Sequence, residues 1–224
     1  MKNTLLFFLF VPIVSFSQNK DSMQSTYTYL ALGDSYTVGE SVLLQKSFPY
    51  QTVQLLRKQG YNFSAPEIIA KTGWTTDELE EGIKEHKFLS KYDFVSLLIG
   101  VNNQYRRRDV MLYKMEFEQL LKKALAFAND KSSHVIVVSI PDYSVTPFAQ
   151  SKDLDKMAKE VEVFNNVSKA VSIQYKVHYA DITPGSKQAP NDPGLLAEDK
   201  LHPSAKQYTK WAEEIAEIIT KQLK

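Results

Sequence analysis

Ser35, Asp199 and His202 are the side chains of this sequence best suited to do chemistry together. Asp199-Lys200-Leu201-His202 puts a carboxylate and an imidazole within one turn of each other, just ahead of Pro203. In a loop, such a pair can lie side by side. The carboxylate then orients the ring, and the ring serves as a general base. A base needs a proton to remove. Gly33-Asp34-Ser35-Tyr36 follows an apolar run near the other end of the chain and offers a hydroxyl. A serine attacks a carbonyl only when its proton is taken, so Ser35 is the candidate nucleophile, in the chain order Ser, Asp, His. Taken alone, Gly-Asp-Ser also suits a helix N-cap. Asp199 with His202 also suits a metal, but no His, Asp or Glu cluster completes a coordination shell. No metal and no cofactor are expected. His86 lies in a charged helical stretch, His134 opens a strand and His178 sits within one, none with a comparable carboxylate.

Elements must carry these residues to one place. Apolar runs at 28–32, 67–70, 94–99, 134–139 and 177–181 read as strands. The runs at 94–99 and 134–139 are nearly continuous, as buried parallel strands require. Between them, 48–59, 76–85, 110–128 and 154–175 carry helical spacing, and 204–223 forms a closing helix capped by Ser204. The helix at 110–128 carries Leu112, Met115, Leu120, Leu121, Leu125 and Phe127 near helical spacing, and the last helix has Trp211, Ile215, Ile218 and Ile219 as its inner face. Strands alternating with helices predict βαβ units and a mostly parallel five-stranded sheet with helices on both faces. Residues 143–152 and 182–203 are long irregular stretches after strands. They fall at the carboxyl edge of the sheet, where open α/β sheets bind ligands.

Composition narrows the function. The 224 residues suit one domain, 27–224, preceded by a polar lead-in at 18–26. Lys and Arg number 27 against 26 Asp and Glu, so no basic field invites nucleic acid. Lys2, the apolar run 5–14 and Ser15-Phe16-Ser17 read as a secretory signal peptide cleaved after Ser17, and the run is too short for a stable membrane span. The chain holds no cysteine, which excludes disulfides, a thiolate nucleophile and a lipid anchor on cysteine. A secreted, monomeric periplasmic or extracellular protein is expected, not a lipoprotein.

Four blocks now align. Gly33-Asp34-Ser35 follows the first strand, Gly73 follows the second, Gly100-Val101-Asn102 follows the third, and Asp199-x-x-His202 closes the series. In this order, and over nearly the whole chain after the signal, the sequence resembles the SGNH hydrolases, also called GDSL esterases. The resemblance implies a flavodoxin-like three-layer α/β/α sandwich. It also implies hydrolysis of esters or thioesters through an acyl-enzyme on Ser35. By the same resemblance the backbone N–H groups of Ser35 and Gly73 and the amide of Asn102 form the oxyanion hole. Thr37 excludes the Gly-x-Ser-x-Gly elbow of other hydrolases. Two positions depart from the pattern: Tyr36 stands where leucine is usual, and Asn103 where aspartate is usual. Trp74, Asn103 and Arg106 are candidate substrate contacts. Arg106, Arg107 and Arg108 form a basic run that either attracts an anionic substrate or is a solvated loop. Substrates within this reading are short-chain esters, acetylated carbohydrate, lysophospholipids or thioesters. An acyltransferase with the same intermediate, or a carbohydrate-binding module on the same fold, are the alternatives.

Overall fold

A computed structural model describes residues 25–150 and 153–224. The signal peptide and most of the lead-in expected at 1–26 lie outside the described residues.

Five strands form one sheet: β1 (Tyr29–Gly33), β2 (Glu67–Ala70), β3 (Phe94–Leu98), β4 (Val135–Val138) and β5 (His178–Ala180). All pairs are parallel, in the order β2-β1-β3-β4-β5. This is the doubly wound, flavodoxin-like order. The expectation of a mostly parallel sheet is therefore met by a wholly parallel one. Every residue of β1, β3 and β4 is buried, which explains why they read as unbroken apolar runs: helices cover both faces.

The helices are α1 (Ser35–Val38), α2 (Phe48–Lys58), α3 (Thr76–Glu85), α4 (Val101–Tyr105), α5 (Val110–Phe127), α6 (Leu154–Gln174), α7 (Thr183–Ser186) and α8 (Ala205–Gln222). Right-handed crossovers place α2 and α8 together on one face and α3, α5 and α6 on the other. Strand and long-helix limits fall within a residue of those read from the sequence. The short α1, α4 and α7 carry too few residues to show a period. Among the described residues no helix is long and apolar enough to cross a membrane.

Two apolar faces differ from expectation. On α5 the buried side chains are Tyr113, Phe117, Leu120, Leu121 and Ala124. Leu112 and Met115 are exposed instead, because Tyr113 and Phe117, four residues apart, set the inner stripe. On α8, Tyr208 and Ala212 join Trp211, Ile215 and Ile219 in the core, while Ile218 is only half-buried.

The chain leaves β1 through Gly33, where a Cβ would lie 2.1 Å from Thr37 Oγ1 and 2.4 Å from the Leu98 carbonyl oxygen. Only glycine lets α1 turn back this tightly onto the ends of β1 and β3. Asp34 caps α1, accepting from the Tyr36 N–H at 3.0 Å. Ser35 is thereby held at the β1/β3 switch point, where the strand order reverses.

Candidate active site

The fold joins the two ends of the chain at one hydrogen-bonded line. Asp199 Oδ1 accepts from the backbone N–H groups of Leu201 and His202 at 3.0 and 2.9 Å. Lys200 takes φ +62°, closing the turn between them. This places the His202 ring against its own carboxylate, with Nδ1 2.6 Å from Asp199 Oδ2. A carboxylate can only accept, so Nδ1 carries the proton and Nε2 is left with a lone pair. Nε2 lies 3.0 Å from Ser35 Oγ. The hydroxyl therefore donates to the ring, the arrangement from which an imidazole removes a serine proton. The His202 residue is 9% exposed. Its ring packs on Tyr36, centroids 5.5 Å apart, and Tyr36 in turn leans on Trp211.

Burial works against the charge on Asp199, but hydrogen bonds from Ser41, His202 and the turn outweigh it and hold the carboxyl down at about 2. Ser41 supplies one of them, its hydroxyl donating to Asp199 Oδ2 at 2.6 Å. Asp34 behaves oppositely. Complete burial pushes its carboxyl up to about 7, against the pull of the Tyr36 N–H. Among the described residues, its Oδ2 is buried without a hydrogen-bond partner.

The loop after β2 is clamped from three sides. Gly73 takes φ +87°, a left-handed conformation that disfavours any other residue. The Asn102 amide donates to the Trp74 carbonyl at 3.0 Å. Arg106 Nη2 donates to the Gly73 carbonyl at 2.7 Å. The Thr72 hydroxyl donates to the Glu40 carboxylate. With one amide hydrogen held by Trp74, the second hydrogen of Asn102 is available to the cavity it shares with Ser35. That cavity, of about 140 Å³, is lined by Ser35, Asn102 and His202 and by Tyr105, Tyr143 and Phe148.

Residues 31–210 match the GDSL-like lipase/acylhydrolase family. The chain belongs to that family. An acetylxylan esterase from Geobacillus stearothermophilus is 23% identical over 183 residues, covering 78% of this chain and 75% of the relative. Among solved structures, the lipase/acylhydrolase from Enterococcus faecalis superposes with a TM-score of 0.70 at 17% identity, covering 88% of this chain and 97% of that one. The crystal structure of the Geobacillus stearothermophilus acetylxylan esterase gives 0.68 at 19% identity, over 88% and 96%. Both share the GDSL-like fold.

Within this GDSL-like site, Ser35, Asn102, Asp199 and His202 come together, and Gly73 sits in the clamped loop beside them. The three candidate substrate contacts all have partners within the fold. Asn103 is fully buried; its amide donates to Thr76 Oγ1 at 2.6 Å and its oxygen accepts from the Thr76 N–H at 3.1 Å. It pins α4 to the start of α3 and cannot reach a ligand. The Trp74 ring covers Gly82, where a Cβ would meet it at 2.2 Å. Its indole packs on α3, and only its carbonyl serves the site. Arg106 is spent on Gly73 and on Glu78, 3.1 Å away. Of the arginine run, Arg108 pairs with Asp77 at 2.9 Å.

Sequence reasoning missed Ser41, Tyr105, Tyr143 and Phe148. The irregular stretch 143–152 had been placed at the correct edge, but no local pattern says which of its side chains turn inward. Two of the other histidines have structural partners: His86 meets Glu67 at 2.7 Å, and His134 meets the Asp93 carbonyl at 2.6 Å while stacking on Phe94. Burial lowers His178.

Proposed function

We propose that this protein is an exported serine esterase that hydrolyses short-chain acyl esters through an acyl-enzyme on Ser35. The observation that carries the reading is the unbroken line from Asp199 through His202 to Ser35 Oγ, with links of 2.6 and 3.0 Å.

His202 Nε2 takes the Ser35 proton as Oγ bonds to the ester carbonyl carbon. The carbonyl π electrons move to oxygen, and the tetrahedral oxyanion faces the Asn102 amide and the backbone N–H groups of Ser35 and Gly73. Ser35 lies in the first turn of α1, where its N–H has no intrahelical acceptor. His202 returns the proton to the departing alkoxide oxygen as the C–O bond breaks. The same ring then takes a proton from water as its oxygen bonds to the acyl carbon; the acyl–Oγ bond breaks, His202 returns that proton to Ser35 Oγ, and a carboxylic acid leaves. Asp199 holds the tautomer and offsets the imidazolium charge throughout.

Acyl size follows from space. The cavity of about 140 Å³ beside Ser35 is closed in by Tyr105, Tyr143 and Phe148, which suits an acetyl to butyryl group. A series of p-nitrophenyl esters should therefore lose kcat/KM beyond about six carbons. Ser35→Ala should fold normally and lose about 10³-fold or more in kcat, and a serine-directed phosphonate should label the peptide holding Ser35. Asn102→Ala should lower kcat about 10²–10³-fold with a smaller change in KM. A Ser35→Ala protein keeping a tenth of wild-type turnover would refute the nucleophile.

A further inference from the structure

One larger cavity adjoins the acyl pocket, and a second adjoins the first. The first, of about 550 Å³, is walled by Tyr105 and Tyr143, which also wall the acyl pocket, and continues to Arg107, Lys156 and Glu160. The second, of about 650 Å³, shares Arg107, Lys156 and Glu160 with the first. It runs on past Asp155, Lys159 and Val163 along α6. Adjoining in series, these cavities form a stepped groove that leads away from the Ser35 pocket toward α6. Its size is in the class that holds a drug-sized molecule or more, far beyond what a short acyl group needs.

The groove is braced from below. The Tyr143 hydroxyl donates to Gln104 Oε1 at 2.7 Å, and Gln104 Nε2 donates to Glu160 Oε2 at 2.7 Å. Gln104 itself is 4% exposed. This chain ties the wall of the acyl pocket to the middle of the groove. Above it, the exposed Arg107, Asp155 and Lys159 make no ion pair among the described residues. Arg107 is thus the one member of the arginine run not committed to an acidic partner in the fold.

These walls specify a ligand. Cationic donors (Arg107, Lys156, Lys159) alternate with carboxylate acceptors (Asp155, Glu160), and the charges nearly cancel. A long acyl chain laid here would press methylenes on charged groups and strip their water. A hydroxyl both donates and accepts, so a polyhydroxylated chain satisfies both kinds of wall. At the junction, Tyr105 and Phe148 are 49% and 42% exposed with ring centroids 6.3 Å apart. They offer flat apolar surface to the C–H face of a sugar ring. We propose that this groove seats the alcohol side of the ester, and that this alcohol is an oligosaccharide. The proposal rests on the esterase reading of Ser35 and adds the substrate class.

The test compares three acetyl esters: p-nitrophenyl acetate, glyceryl triacetate and an acetylated xylotetraose. Wild type, Val163→Trp, which fills the groove, and Arg107→Ala are assayed, with Lys221→Ala on α8 as a remote control. The ratio of kcat/KM on the tetrasaccharide to that on p-nitrophenyl acetate should fall about tenfold in both groove variants, through KM. Lys221→Ala should keep the wild-type ratio. If Val163→Trp does not fold, Arg107→Ala decides. In a Ser35→Ala background, calorimetric titration with unacetylated xylotetraose should show binding that Arg107→Ala weakens by a similar factor. Ratios within twofold of wild type, or an equal fall for glyceryl triacetate, would overturn the groove while leaving the esterase intact. Wild type inert toward all three esters would instead strike at the esterase reading itself.

Discussion

Asp199 depends on more than its histidine partner. Ser41 gives Oδ2 a charge-assisted hydrogen bond at 2.6 Å, of a kind that contributes about 1.5–3 kcal/mol. Water can replace part of it, so Ser41→Ala should cost about tenfold in kcat with KM nearly unchanged. The Asp199 carboxyl, now held at about 2, should titrate higher in this variant, because it loses one stabilising donor. Asp34 has the reverse sign. Its folded value of about 7 lies above the ordinary 3.8, so the native state binds that proton more tightly than the unfolded chain does. The resulting stabilisation is full below about pH 4 and is lost as pH rises to about 7. Asn at this position keeps the oxygen that caps α1 and stays neutral. The melting temperature of Asp34→Asn, relative to wild type, should therefore rise between pH 4.5 and 8 in thermal scans; a flat difference would show that the buried carboxyl does not titrate there.

At the scale of elements, the site is an edge made of short pieces. α1 and α4 are single turns that hold Ser35 and Asn102 at the ends of β1 and β3. The Gly73 loop between them has no secondary structure of its own and borrows rigidity from Asn102, Arg106 and Glu40. Arg106 is 42% exposed in its side chain and its pair with Glu78 is open to solvent, so it adds little to global stability. Its bond to the Gly73 carbonyl matters for placement. Arg106→Ala should leave the melting temperature within a few degrees and lower kcat about three- to tenfold with KM held, as loss of positioning requires. A change in KM alone would show that Arg106 contacts substrate after all.

At the scale of the molecule, the core carries the stability, since no cysteine exists to staple the fold. Trp211 is 1% exposed and packs edge-on against Tyr208 and on Phe48, joining α8 to α2 behind the His202 ring. Such a core suits a protein that works after export, which is part of the proposal above. N-terminal sequencing of the exported protein should begin at Gln18 or within a few residues of it. Met1 intact on a cytoplasmic protein would overturn the address and leave the chemistry untouched.

Periodicity and spacing alone determined the strands, the long helices and a mostly parallel sheet, and the resemblance to the SGNH hydrolases singled out the four blocks that include Ser35 and His202. These are local signals: a buried parallel strand has to be apolar along its length, and an Asp three residues before a His forms its turn from its own backbone. What only the tertiary structure decided is where side chains point after the chain has closed. Asn103 beside Asn102 reads as a candidate substrate contact in one dimension, yet one step along α4 rotates it onto Thr76 and into the core. Arg106, Arg107 and Arg108 are indistinguishable in the sequence, yet Gly73, Glu78 and Asp77 claim two and the groove receives the third. Ser41 reaches Asp199 across 158 positions, and Tyr143 reaches Gln104 across 39. Contacts of that range are set by packing, which no residue's neighbours in the chain encode.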